Sequence, residues 1–137
     1  MINTNGFRIA DDKGFVERLN DYMPGIEIYL QFDSFKPHVL TKLRGKDLSA
    51  KRQKALEKLE KFNIHSTLVV TLERGKNDDE IGKIIDFALE YRCLRGVTFQ
   101  PTQVAGRVEN FDPLKNKFTL TETRQSILDQ TDIFKEN

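Results

Sequence analysis

The chain has 137 residues, 38% of them hydrophobic and 31% charged, and 22 Lys+Arg against 21 Asp+Glu leave a net charge of +1. That is the size of one domain, 1–137, and the composition of a globular chain, not a disordered or strongly basic nucleic-acid-binding one. No apolar run approaches the roughly 20 residues of a membrane helix, and the Met1–Gly6 start does not read as a signal peptide, so neither nucleic acid nor membrane is an expected partner.

Ile2–Thr4 reads as a short strand, the first predicted element. Phe15, Val16, Leu19, Tyr22 and Met23 fall at helical spacing after a cap at Asp11 or Asp12. Ile26–Phe32, opened by Pro24-Gly25, is rich in β-branched and aromatic residues and reads as a strand. Ala55, Leu56, Leu59 and Phe62 mark a helix within Ser49–Phe62 whose other face is solvated Lys and Glu. Thr67–Leu72 is the clearest strand. Asn77 and Glu80 have the spacing of a capping box before a helix through Ile81, Ile84, Ile85, Ala88 and Leu89. Gly96–Gln100 is a strand stopped by Pro101. Thr102–Lys117 reads as irregular. Thr119 and Glu122 form a second capping-box pair before a helix carrying Ile127 and Leu128, and Asp132–Asn137 is expected to fray.

Strands alternating with helices imply parallel pairing through right-handed crossovers. Fully buried parallel strands read as continuous apolar runs, and these do not. Ile26, Ile28, Leu30 and Phe32 alternate with Glu27, Tyr29, Gln31 and Asp33. Leu68, Val70 and Leu72 alternate with Thr67, Val69, Thr71 and Glu73, and Val97 and Phe99 with Thr98 and Gln100. Side chains alternate across a strand, so one sheet face is apolar and the other polar. The predicted class is α/β, a partial (β/α) barrel of about four parallel strands with helices outside and polar groups inside. An α+β domain with one sheet face in water is the other reading of the same pattern.

In parallel barrels ligands bind at the C-terminal ends of the strands. The polar residues there are Thr4, Asn5, Gln31, Asp33, Ser34, Thr71, Glu73, Arg74, Gln100, Thr102 and Gln103, a set able to hydrogen-bond a polar small molecule. It contains no nucleophile–base triad, no HExxH and no glycine-rich phosphate loop. Arg107 could pair an anion, although a solvent-exposed role is the commoner one. Cys93 is the one cysteine, which cannot form an internal disulfide, a zinc knuckle or an iron–sulfur site. It reads as a small semi-buried apolar residue, and His38 and His65 as structural imidazoles. Cysteine usage points to a reducing, cytoplasmic setting.

The order of short motifs carries a further signal. Asn3-Thr4-Asn5-Gly6 closes the first strand, Gln31-Phe32-Asp33-Ser34 the second, and Glu73-Arg74-Gly75-Lys76-Asn77-Asp78-Asp79-Glu80 follows the third. This succession, with Thr98-Phe99-Gln100-Pro101-Thr102, resembles the middle of the radical S-adenosylmethionine (radical SAM) enzymes. The branch it is most similar to contains the molybdenum-cofactor GTP cyclase and tetraether-lipid-synthase-like proteins. The resemblance runs from Asn3 to about Arg107. The family's CxxxCxxC loop and its Gly-Gly-Glu-type motif are absent. The resemblance therefore implies a central segment, barrel strands three to six, of a longer enzyme, lacking the N-terminal cluster-binding unit and the C-terminal region. That parent would reductively cleave S-adenosylmethionine at a [4Fe–4S] cluster to start radical chemistry on a small-molecule substrate. The segment alone is expected to be inactive, to hold no cluster and to bind S-adenosylmethionine weakly if at all, and to have cut barrel edges open to self-association. By position, the resemblance places Thr4, Asn5, Gln31, Asp33 and Gln100 toward the cofactor and Glu73 and Arg74 toward the substrate. The alternative expectation is a self-contained, non-enzymatic α/β module that binds a ligand or partner.

Overall fold

The computed structural model describes residues 1–102, 112 and 117–134. Four strands, β1 (Ile2–Thr4), β2 (Ile28–Gln31), β3 (Ser66–Leu72) and β4 (Leu94–Pro101), form one sheet in the order β1-β2-β3-β4. Every neighbouring pair is parallel, with Thr4 opposite Leu30, Leu30 opposite Leu68, and Val69 opposite Thr98. The chain therefore moves one place along the sheet at each crossover, as in an arc of a barrel. The predicted strand Ile26–Phe32 is longer than β2. Its ends remain extended, with Phe32 N donating to Val69 O at 2.8 Å and Ile2 N to Glu27 O at 2.8 Å.

The helices are α1 (Phe7–Asp11), α2 (Phe15–Asn20), α3 (Pro37–Arg44), α4 (Ser49–Lys61), α5 (Ile81–Leu89) and α6 (Leu120–Gln130), with a 3-10 turn over Asp78–Glu80 before α5. The apolar strand positions Ile28, Leu30, Leu68, Val70 and Leu72 are fully buried. They pack with Ile9 of α1, Val16 of α2, Leu56 and Leu59 of α4, and Ile81 and Ile84 of α5 in one core. The helices thus cover the apolar face, and Tyr29, Gln31, Val69 and Thr71 on the other face stay half-buried.

Two helices have no counterpart among the predicted elements. The short α1 follows a tight turn at Gly6, whose φ of +84° places it in the left-handed region, while an added Cβ there would lie 2.9 Å from Leu30 Cδ1. Helix α3 carries Pro at its start and Gly45 just past its end, with φ +79° and N donating to Thr41 O at 2.8 Å. That Pro-first, Gly-last asymmetry is a helix signal in its own right. The helix predicted through Met23 ends at Asn20. Its start also differs, because the N-cap is Gly14, and Asp12 Oδ1 accepts from Gly14 N at 3.0 Å instead of capping the helix from Asp11 or Asp12. Most of the segment expected to be irregular lies outside the described residues.

The two predicted capping boxes part company. Thr119 and Glu122 form the reciprocal pair, with Glu122 N donating to Thr119 Oγ1 at 3.2 Å and Thr119 N to Glu122 Oε2 at 2.8 Å. The pair at Asn77 and Glu80 makes no cap bond, and both side chains are spent on distant partners described below. Arg74 also reaches Glu122, and its guanidinium, with the Thr119 bonds, holds that carboxyl down to about 2. A carboxyl lowered on folding contributes stability above its unfolded value and loses it as pH falls through its folded value. Melting curves between about pH 5 and pH 2 should therefore show the native protein losing stability more steeply than Glu122→Gln; parallel curves would contradict the link.

Candidate functional site

The polar sheet face forms an open concavity of about 380 Å³ lined by Asn3, Thr4, Asn5, Tyr29, Gln31, Val69 and Gln100. It takes residues from all four strands or their C-terminal ends, which is what parallel order and one polar face require. Four carboxamides and one phenol surround Val69. A carboxamide carries both donor and acceptor groups, and although the Gln31 oxygen is taken up by Arg44, the four together leave a wall that suits a neutral, polar, hydrogen-bonding ligand. Thr4 Oγ1 accepts from Gly6 N at 3.0 Å and Asn5 Oδ1 from Phe7 N at 3.2 Å, so both also shape the turn into α1.

Asp33 follows β2 with φ +64°, a left-handed conformation that Asp tolerates better than most residues. Its carboxylate is fully buried. Arg44 Nε donates to Oδ2 at 2.8 Å and Arg44 Nη2 to Oδ1 at 3.1 Å, a two-point pair. Arg52 Nη2 donates to Oδ2 at 3.0 Å, and Thr71 N to Oδ1 at 3.0 Å. Arg44 Nη2 also donates to Thr71 Oγ1 at 3.0 Å. With the Gln31 amide oriented so that its oxygen faces Arg44, that oxygen accepts from Nη1 at 3.1 Å and Nη2 at 2.8 Å. Asp33 is thus linked through Arg44 to Gln31 of the concavity wall, a connection that ties the ends of β2 and β3.

A second set of bonds locks the loops behind this network. The fully buried Asn77 accepts from Glu73 N at 2.9 Å and donates from Nδ2 to Asp33 O and to Thr71 O, both at 2.8 Å. Ser34 Oγ donates to Glu80, whose other oxygen accepts from Phe35 N at 3.2 Å. The two residues read as a cap therefore tie the loop after β2 to the loop after β3.

Among the residues expected at the site, Thr4, Asn5, Gln31 and Gln100 come together around the concavity, and Asp33, fully buried, does not line it. Glu73 and Arg74 stand apart from it. Glu73 pairs with Lys76, and Arg74 donates to Lys117 O from Nε at 3.0 Å and from Nη2 at 2.7 Å, fastening the start of α6. Gln103 and Arg107 fall outside the described residues. Arg44 and Arg52 were not singled out from sequence. An Arg at a helix end or on a charged helix carries no sign of which distant carboxylate it will meet. Asn3 and Tyr29 share the polar strand face, and that alternation could have named them.

Cys93 is fully buried, not semi-buried, and burial beside Glu60 pushes its thiol up to about 12, so it is held as a protonated, inert thiol. A [4Fe–4S] cluster needs several converging thiolates, and this lone buried thiol does not fit one. Among the described residues no three His, Cys, Asp or Glu side chains converge to hold a metal ion, and no helix is long and apolar enough to cross a membrane.

The chain matches no protein-family model. It is similar to the 7,8-dihydro-6-hydroxymethylpterin dimethyltransferase of Methanocaldococcus jannaschii, with 37% identity over 137 residues. The match takes in 96% of this chain and 26% of that protein, so the chain spans about a quarter of the length of the curated relative it matches.

Proposed function

We propose that the chain is the central part of a radical SAM barrel whose polar face binds S-adenosylmethionine and a small heteroaromatic substrate of the pterin kind. The observation that carries this reading is the concavity itself, four carboxamides and a phenol gathered at the C-terminal ends of parallel strands. The order of the motifs from Asn3 to Thr102 supports the family. The relative named for a pterin dimethylation supports the substrate, since methyl transfer is chemistry that S-adenosylmethionine serves. The pterin reading also suits the wall, because carboxamides match the alternating donors and acceptors of a lactam edge.

In this reading the chain's own residues bind and orient. Gln31, held by Arg44, presents its amide to the ligand, and Asn3, Asn5, Tyr29 and Gln100 complete the polar wall. Asp33 keeps Arg44 in place through its two-point pair. In this reading a reduced [4Fe–4S] cluster, held by residues other than those of this chain, would supply the electron that cleaves S-adenosylmethionine. The outer edges of β1 and β4 are unpaired among the described residues, and adjoining barrel strands would extend them. The experiment is a titration of S-adenosylmethionine into the longer protein that carries this chain, native against Gln31→Ala.

A further inference from the structure

The polar groups of the concavity do not offer donors and acceptors evenly. Arg44 Nη1 and Nη2 both donate to the Gln31 oxygen, at 3.1 and 2.8 Å. Turned the other way, the amide would set its own N–H groups against two guanidinium N–H groups, donor against donor, and lose both bonds. Arg44 is not free to follow such a turn. Its Nε and Nη2 are held by the fully buried Asp33 carboxylate, and Nη2 also by the Thr71 hydroxyl. The NH2 end of Gln31 meets no partner among the described residues. It is not sealed in: Gln31 is half-buried and lines the concavity, and the buried side-chain atoms without a partner belong to Arg52 alone among the described residues. A guanidinium on the oxygen also polarises the amide and makes that NH2 a stronger donor.

The neighbouring strand end shows the same bias independently. Asn5 Oδ1 accepts from Phe7 N at 3.2 Å, which leaves the NH2 of Asn5 as the group still to be met. Thr4 Oγ1 accepts from Gly6 N at 3.0 Å, which leaves its O–H to donate. Close to Gln31, the Asp33, Arg44 and Arg52 side chains together carry one excess positive charge, which favours electron-rich atoms nearby.

We propose that the ends of β1 and β2 form a donor edge that selects hydrogen-bond acceptors on the ligand, with Arg44 the positioning residue that fixes this polarity at Gln31. Arg44 does not itself line the concavity and acts through the amide. The inference rests on the reading of the concavity as a site for S-adenosylmethionine, which offers ring nitrogens and ribose and carboxylate oxygens as acceptors.

Calorimetric titration of S-adenosylmethionine into the longer protein that carries this chain, with urea unfolding of each variant, tests it. Gln31→Glu keeps an oxygen for Arg44 and replaces the donor by a second acceptor. It should bind about tenfold or more weakly, with an unfolding midpoint no lower than the native one, because its charge offsets the excess positive charge. Asn5→Asp makes the same exchange at an exposed position and keeps the oxygen for Phe7 N. It too should lose about tenfold in affinity with its midpoint unchanged. Arg44→Met should weaken binding as much as Gln31→Ala, and the double variant no further, because the two residues act as one unit. If Arg44→Met fails to fold, Arg44→Lys, which keeps the charge beside Asp33 without the planar fork, replaces it in the cycle. Native affinity in Gln31→Glu or Asn5→Asp, or additive losses in the cycle, would overturn the proposal. A native protein that does not bind S-adenosylmethionine would overturn the reading beneath it as well.

Discussion

Asp33→Ala should cost about 3–5 kcal/mol of folding stability, the range for removing one partner of a buried charge pair. The alanine would leave Arg52, 3% exposed, with no acceptor at all. Arg44 would lose its two-point pair and keep only the Thr71 hydroxyl and the Gln31 amide. Thr71 N would lose its acceptor as well. Urea unfolding reads the effect as a lower midpoint with little change in slope. Asp33→Asn keeps the shape but not the charge, and should fall between the native protein and Asp33→Ala. A midpoint unmoved by Asp33→Ala would mean that the network does not hold the ends of β2 and β3. It would return Asp33 to the role its position after the second strand implies, a direct contact to the cofactor.

Asn77→Ala should be the next most damaging change, by about 3 kcal/mol, the lower end for three groups, one buried and two part-buried, left unpaired at about 1–3 kcal/mol each. Glu73 N loses its acceptor, and the carbonyls of Asp33 and Thr71 lose their donor. Asn77→Asp is the informative companion. It keeps an acceptor for Glu73 N but turns a carboxylate toward two carbonyl oxygens, so it should be at least as unstable as Asn77→Ala. If Asn77 acted only as a helix cap, Asp would replace it with little loss, since Asn and Asp are equivalent there. The same unfolding midpoints separate the two outcomes.

Both predictions rest on residues whose roles were only half visible in the sequence. The alternation of Ile28, Leu30, Leu68, Val70 and Leu72 with polar neighbours was enough to read a parallel sheet with helices on one face. That pattern is local, has a period of two, and is enforced by burial. It also named Gln31 and Gln100 as facing the concavity. Side-chain partners separated by long stretches of chain are different. Arg44 and Arg52 reach Asp33 only because the end of α3 and the first turn of α4 come within side-chain reach of the end of β2, and nothing in their immediate neighbours encodes that. Asn77 shows the same limit from the other side. Its spacing to Glu80 fits a local motif, but burial between two loops offers it three stronger partners. Helix α1 was hidden because five residues are too few to display a period.

The most direct test of the inner face as a ligand wall is the affinity of Gln31→Ala for S-adenosylmethionine in the longer protein that carries this chain. Gln31 is half-buried and bonded to Arg44 at the rim of the network, not within the apolar core. Losing one ligand hydrogen bond of about 1–3 kcal/mol corresponds to a five- to hundredfold weaker binding constant, roughly. Calorimetric titration should show that loss beside a melting temperature close to the native one. A variant that melts early and binds S-adenosylmethionine as tightly as the native protein would contradict the assignment and make the polar face structural.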